Sequence, residues 1–275
     1  GGYSSFPALF AAKILKIPVI IHESDSTPGM VNKWAAKFAD KIAISYPDVA
    51  EMFPKQKAEG KIAFTGNPIR KEITIPLSNG AREYLNLEEN TPTIFIVGGS
   101  QGSKIINDVI IDSVDELVKR YQIIHQTGKN NFDLVKETVG IVLKDNPSAY
   151  RYHPFDYLND LSIRMSAGVA DVVVSRAGST IFEIAVWGLP SVIIPLSKEV
   201  SHDQVKNAFA YAHSGACTVI EEFNLTSHIL ISEIDRIIGN QSIKEKMKKG
   251  AKEFSHMNAA NKIAEVILET SLKHE

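Results

Sequence analysis

Short apolar runs alternate with helical patterns along almost the whole chain, and this alternation limits the possible folds more than any other feature. Strands buried on both faces read as continuous apolar stretches, because crossover helices cover both sides of a parallel sheet. The strands predicted on this basis are residues 18–22, 41–45, 61–65, 93–97, 122–126, 149–153, 172–175, 191–195 and 217–220. Helical spacing is predicted for 6–15, for the apolar set Ile105, Ile106, Val109, Ile110 and Val114, for 204–214, and from 226 to the end. The pattern predicts an α/β protein with parallel sheets.

With 275 residues, 44% of them hydrophobic, the chain can bury a large core and is expected to form two lobes. Residues 1–72 are read as the N-terminal lobe, 73–92 as a connection and 93–258 as a second lobe. A C-terminal helix over 259–275 is placed where it could pack back on the first lobe. A formal net charge of −2 gives no electrostatic reason to expect nucleic acid. The single cysteine, Cys217, excludes an internal disulfide and favours a reducing setting. No apolar run approaches the roughly 18 residues of a membrane span. The lysines at 244, 246, 248, 249 and 252 read as a solvated helix face or, alternatively, a contact to phosphate or membrane. The chain opens on Gly1-Gly2-Tyr3, a loop of strand-to-helix type with no preceding strand, so N-terminal sequence is expected to be missing.

The richest segment for chemistry is 175–207, SRAGSTIFEIAVWGLPSVIIPLSKEVSHDQVKN. An apolar strand feeds Arg176, Gly178, Ser179 and Thr180, and a helix then opens with Glu183 in its first turns. Free N–H groups at a helix start suit a phosphate, and a nearby carboxylate suits a ribose diol. Thr180 and Glu183 also fit a capping box, in which both side chains only satisfy orphan helix N–H groups. Asp203, Gln204 and Asn207 offer partners to sugar hydroxyls or an N-acetyl group, while Asp203 fits a helix cap equally well.

Gly98-Gly99-Ser100-Gln101-Gly102 lies between a strand and a helix, as either a tight turn or a diphosphate cradle. It is neither GxGxxG nor a Walker loop. Arg70, in GNPIR, stands at a lobe boundary, where it can neutralise a diphosphate or form a surface ion pair. His22-Glu23-Ser24-Asp25 follows a strand but lacks metal-ligand spacing, so no metal is expected. His125 and His153, at strand ends, read as structural.

In order along the chain, GGYSSFPALFAAK, IPVIIHESD, PGMVNKWAAKFADK, TGNPIR, VGGSQGSKIIND, HQTGK, ADVVVSRAGSTIFEIAVWGLPSVIIP, HDQVKNA and SGACTVIEE resemble the MurG family of cell-wall glycosyltransferases. The resemblance implies a GT-B fold of two Rossmann-like lobes, the N-terminal one incomplete here. It implies inverting transfer of N-acetylglucosamine from UDP-N-acetylglucosamine to lipid I, without a cofactor, at the cytoplasmic side of the bacterial membrane. Cell-wall synthesis and division proteins would be further partners. By motif, Arg70, Ser100 and Gln101 correspond to donor or diphosphate contacts and Leu158 to a backbone contact with uracil. Ser179 and Thr180 fall near the phosphates, Glu183 on the ribose, and Asp203, Gln204 and Asn207 on the sugar. Gly1, Gly2, Tyr3 and Ser4 correspond to a loop for the acceptor diphosphate. The family's proposed base lies in a GGTGGH-like segment absent from this sequence, leaving the catalytic residue unassigned. Asp25 replaces a usual asparagine of the donor site, and the loop after Gly178 is shorter than is common. Other UDP-sugar transferases, an epimerase and a non-catalytic nucleotide-sugar binding module are the alternatives.

Overall fold

The computed structural model describes residues 2–99, 101–197, 199–201 and 203–272. The chain divides into two compact units, one holding residues up to Ile69 together with those from His256 onward, the other Arg70–Ser255. No helix among the described residues is long and apolar enough to cross a membrane.

The first unit contains a parallel sheet of β1 (Ile20–Glu23), β2 (Lys41–Ile44) and β3 (Ile62–Phe64), paired in that order. Ile21, Ile42 and Ile44 are buried in it. The helix Phe6–Ile14 buries none of its residues, although Phe6 lies 4.8 Å from the Trp34 ring, centroid to centroid.

The second unit is built on β4 (Thr93–Val97), β5 (Gln122–Gln126), β6 (Tyr152–Phe155), β7 (Val172–Ser175), β8 (Ser191–Ile193) and β9 (Cys217–Val219). All neighbours are parallel, in the order β6-β5-β4-β7-β8-β9. Every residue of β4, β5, β7 and β8 is buried, which is why residues 94–97 and 172–174 read as uninterrupted apolar runs, although β5 also buries Gln122, His125 and Gln126. The helix Lys104–Leu117 packs Ile106, Val109, Ile110 and Val114 into the same core as Ile94, Ile123, Val172 and Ile234. Ile105, predicted on that apolar face, is instead exposed.

One strand is displaced from its predicted place. Residues Ala149–Arg151 form a 3-10 turn, and β6 begins only at Tyr152 and runs through Pro154. The proline is tolerated because β6 is the outermost strand, hydrogen-bonded to β5 alone. Residues 70–92 pack within the second unit, with Ile73, Ala81 and Leu85 buried and the Trp187 indole donating to the Ile73 carbonyl at 2.8 Å. The C-terminal region forms helices Ser227–Ile238, Gln241–Phe254 and Ala259–Leu272. Its lysines are largely paired: Lys244 with Asp171, Lys248 with Glu245 at 3.1 Å and Lys249 with Glu253 at 3.8 Å.

Numbered within the unit, the larger sheet has the 3-2-1-4-5-6 order of a doubly wound dinucleotide-binding fold. The order reverses between β4 and β7. Connections leaving these two strands diverge, so a crevice opens at their carboxyl ends. The fold alone thus brings the glycine loop after β4 beside the segment after β7.

Candidate nucleotide-sugar site

A cavity of about 700 Å³ occupies this crevice, lined by Gly98, Gly99 and Gly102 on one side and by Arg176, Gly178, Ser179, Thr180 and Glu183 on the other. Both sequence-predicted loops therefore converge.

The glycine loop ends at Ser103, which caps the helix Lys104–Leu117 by accepting from the Ile106 N–H at 3.5 Å. That helix start supplies backbone donors and the positive end of a dipole. Ser100 lies outside the described residues. Gln101 is exposed, and its carbonyl accepts from the Asn131 amide at 3.4 Å. Gly102 has φ +74°, and a Cβ there would sit 1.9 Å from the Thr127 carbonyl oxygen. Gly128 has φ +86°, and its Cβ would sit 2.3 Å from the Gln101 carbonyl oxygen. The loop after β5 thus interlocks with the glycine loop, backbone against backbone.

The capping-box reading of Thr180 and Glu183 does not hold. Ser179 is the N-cap of helix Thr180–Trp187 and makes no side-chain cap bond. The Glu183 carboxylate faces Arg70 instead, with Nη2 to Oε1 at 3.7 Å, while Nη1 of Arg70 bonds Asp160. The Arg70 ion pair is therefore not a bare surface bridge, since Arg70 and Glu183 both line the cavity. Burial raises the Glu183 pKa, the Arg70 charge opposes that rise, and Asp160 adds to it.

This environment fixes a pH dependence. A deprotonated carboxylate accepts hydrogen bonds that a protonated one does not, so the affinity of a diol-bearing ligand at Glu183 is expected to fall on acidification with a midpoint above the ordinary glutamate range. Replacing Arg70 by alanine should move that midpoint higher, because the opposing charge is gone; calorimetric titration with UDP across pH 4–8 reads both. For stability the sign is reversed. A raised carboxyl pKa favours the fold at low pH and the benefit fades as pH rises through it, so Glu183→Gln should not lower the melting temperature at neutral pH.

Gln204 lines the cavity, and its Oε1 accepts from the Leu196 N–H at 3.1 Å. Asp203 is the N-cap of helix Gln204–His213 and makes no side-chain cap bond. His202, beside it, lies outside the described residues. Asn207 is only 2% exposed and donates to the Ala177 carbonyl at 3.4 Å, bracing the loop after β7 from beneath. Leu158 is buried, and its N–H is given to Oε1 of Gln126 at 3.1 Å.

Arg176, which the sequence places in its chemistry-rich segment without a role of its own, also lines the cavity. It is buried, donates from Nε to Ser103 Oγ at 2.9 Å and from Nη1 to the Ile194 carbonyl at 3.1 Å, and pairs with Glu222 Oε1 at 2.7 Å. The Glu222 contact is ionic and lies off the line of an N–H donor. Arg176 thereby joins the segments that follow β4, β8 and β9. An arginine directly after an apolar strand is a visible signal, but its partners are not local.

In the other unit, Glu23 is 4% exposed and organises the turn that carries Asp25. It accepts from the N–H groups of Asp25 at 3.2 Å and Gly29 at 2.9 Å, and from the Asn32 amide at 2.8 Å. His22 contacts Ser45 Oγ at 3.1 Å and the Gly66 carbonyl at 3.2 Å, and burial lowers its pKa. Gly1 lies outside the described residues; Gly2 precedes the 3-10 turn Tyr3–Ser5, and its carbonyl accepts from Ser5 Oγ at 2.7 Å.

Residues 93–264 match the glycosyltransferase family 28 C-terminal domain, and residues 1–44 match the corresponding N-terminal domain. A relative from Acetivibrio thermocellus is 36% identical, over 97% of this chain and 70% of its own length. It is named UDP-N-acetylglucosamine--N-acetylmuramyl-(pentapeptide) pyrophosphoryl-undecaprenol N-acetylglucosamine transferase. Among solved structures, MurG of Acinetobacter baumannii superposes with a TM-score of 0.75 at 24% identity, covering 98% of this chain and 72% of its own. UDP-GlcNAc 2-epimerase of Neisseria meningitidis, bound to UDP-GlcNAc, superposes at 0.69 with 17% identity, covering 97% and 74%. These two likenesses concern the fold.

Proposed function

Because this chain belongs to glycosyltransferase family 28, and within it to the MurG family, we propose that its cavity binds UDP-N-acetylglucosamine for transfer of N-acetylglucosamine to lipid I, forming lipid II. The observation that carries the reading is the convergence at one switch point of a glycine loop, a helix start, Arg70 and Glu183. An anionic diphosphate meets the N–H groups and the guanidinium, and the ribose diol meets the carboxylate.

Transfer proceeds by inversion. A base takes the proton of the acceptor hydroxyl, its oxygen attacks the anomeric carbon, and the bond to UDP breaks on the opposite face. Negative charge grows on the departing diphosphate, so donors aimed at it stabilise the transition state more than the substrate. The acceptor is a lipid, which places the protein peripherally at the cytoplasmic membrane face. Exposed Phe10, Ile14 and Leu15 beside Lys13 and Lys16 support that placement, and co-sedimentation with anionic vesicles tests it.

Calorimetric titration with UDP-N-acetylglucosamine, against UDP-glucose and GDP-mannose, tests the donor. Selective binding that Glu183→Ala abolishes is the expected result. Equal affinity for the guanosine nucleotide would remove the assignment.

A further inference from the structure

Gln126 is not among the residues assigned to the donor, yet it lines the cavity while only 3% exposed. It ends β5, the strand next to β4, so its side chain emerges at the same carboxyl edge as the glycine loop. Its amide has one donor end and one acceptor end, and each is committed to a different loop. Nε2 donates to the Gly99 carbonyl at 3.0 Å, and Oε1 accepts from the Leu158 N–H at 3.1 Å. The orientation is fixed by chemistry, since a flipped amide would set N–H against N–H and carbonyl against carbonyl.

Gly99 belongs to the phosphate side of the cavity, whereas Leu158 follows Tyr157, an aromatic ring on another stretch of the wall. We infer that Gln126 is a positioning residue that fixes the spacing between the diphosphate cradle and the wall carrying Tyr157 and Leu158, so that a nucleoside diphosphate spans both in one geometry. The inference rests on the nucleotide-sugar reading of this cavity. The same strand end contributes the Thr127-Gly128 backbone that interlocks with Gly102, and Asn107 donates to the Thr127 carbonyl at 3.1 Å. The end of β5 is therefore a rigid anchor, and the Gln126 side chain links it to both loops. The Leu158 N–H is buried, so losing its acceptor strands a donor away from water, while the Gly99 carbonyl, which also accepts from the Gly102 N–H at 3.1 Å, loses its tie to β5.

A spacer acts on ligands that reach both loops and leaves those that touch only one. The test compares UDP with inorganic pyrophosphate as calorimetric probes on the wild type, Gln126→Met and Gln126→Glu. Methionine keeps the length and loses both bonds; glutamate keeps the acceptor for Leu158 and loses the donor to Gly99. Each variant is expected to weaken UDP about tenfold and pyrophosphate less than twofold, with melting curves that remain cooperative. Either folded variant is sufficient for the comparison. Equal loss of both probes, or UDP affinity unchanged, would overturn the spacer role. If the wild type bound no UDP, the nucleotide-sugar reading itself would fall, which is a separate result.

Discussion

Alanine at position 102 is expected to abolish UDP binding at concentrations that saturate the wild type. Two independent costs combine there. The backbone sits at φ +74°, which opposes any residue with a Cβ by about 1–2 kcal/mol. The added carbon would also lie 1.9 Å from the Thr127 carbonyl oxygen, a backbone atom that cannot swing aside as a side chain would. Relief requires the glycine loop to part from the loop after β5, and the helix start then no longer aims at the same point. Gly128→Ala should act alike from the other side of the contact, where the clash is with the Gln101 carbonyl at 2.3 Å. Gly140 is a fitting control: it lies in helix Phe132–Val142, and its Cβ would meet nothing within 4 Å. Alanine there should keep UDP affinity and raise stability by up to about 1 kcal/mol. Titration and thermal melts on the three variants separate a loss of loop geometry from general damage. Retained UDP affinity in Gly102→Ala would show that the interlock does not shape the site.

The interlock also marks where the sequence stops being legible. Stretches such as 94–97 and 172–174 announce themselves because burial on both faces favours apolar side chains, and the order of motifs carries the family. The glycine loop and Ala177-Gly178 are visible because close backbone approach selects small residues. What the sequence does not display is which distant group satisfies each polar side chain. Thr180 and Glu183 match a capping box by spacing, yet Arg70, far earlier in the chain, claims the carboxylate. Asn207 reads as a sugar contact, and nothing local shows that its amide also donates to the Ala177 carbonyl. Leu158 is a candidate for a backbone contact, and its N–H is already given to Gln126. Local propensity has no term for such pairings, because they exist only once the sheet has brought strand ends together. The start of β6 is hidden for a related reason: Pro154 is acceptable only at a sheet edge, and position in the sheet is a property of topology.

The same long-range pairing sets the expectation for Arg70. Its guanidinium is held by Asp160 on one nitrogen and lies 3.7 Å from Glu183 on the other, both within the cavity-bearing unit. In the ligand-free protein these carboxylates balance its charge, and a diphosphate bound as proposed would bring further negative charge to the same cation. As the glycosidic bond breaks, that charge grows on the leaving diphosphate, so the guanidinium interaction strengthens towards the transition state. Arg70→Ala is therefore expected to slow transfer from UDP-N-acetylglucosamine by roughly a hundredfold, equivalent to about 3 kcal/mol of barrier. Lysine should recover only part of the rate, because a point charge cannot face Asp160, Glu183 and a phosphate with separate N–H groups as a planar fork does. The cost to stability should be small: Arg70 and Asp160 are both nearly half exposed, and solvent screens exposed pairs to about 0–1 kcal/mol. Steady-state rates with varied donor, set beside melting temperatures, distinguish the two effects. A variant that unfolds early while keeping its rate would make Arg70 a structural clamp, whereas a stable variant with a collapsed kcat places it on the leaving group.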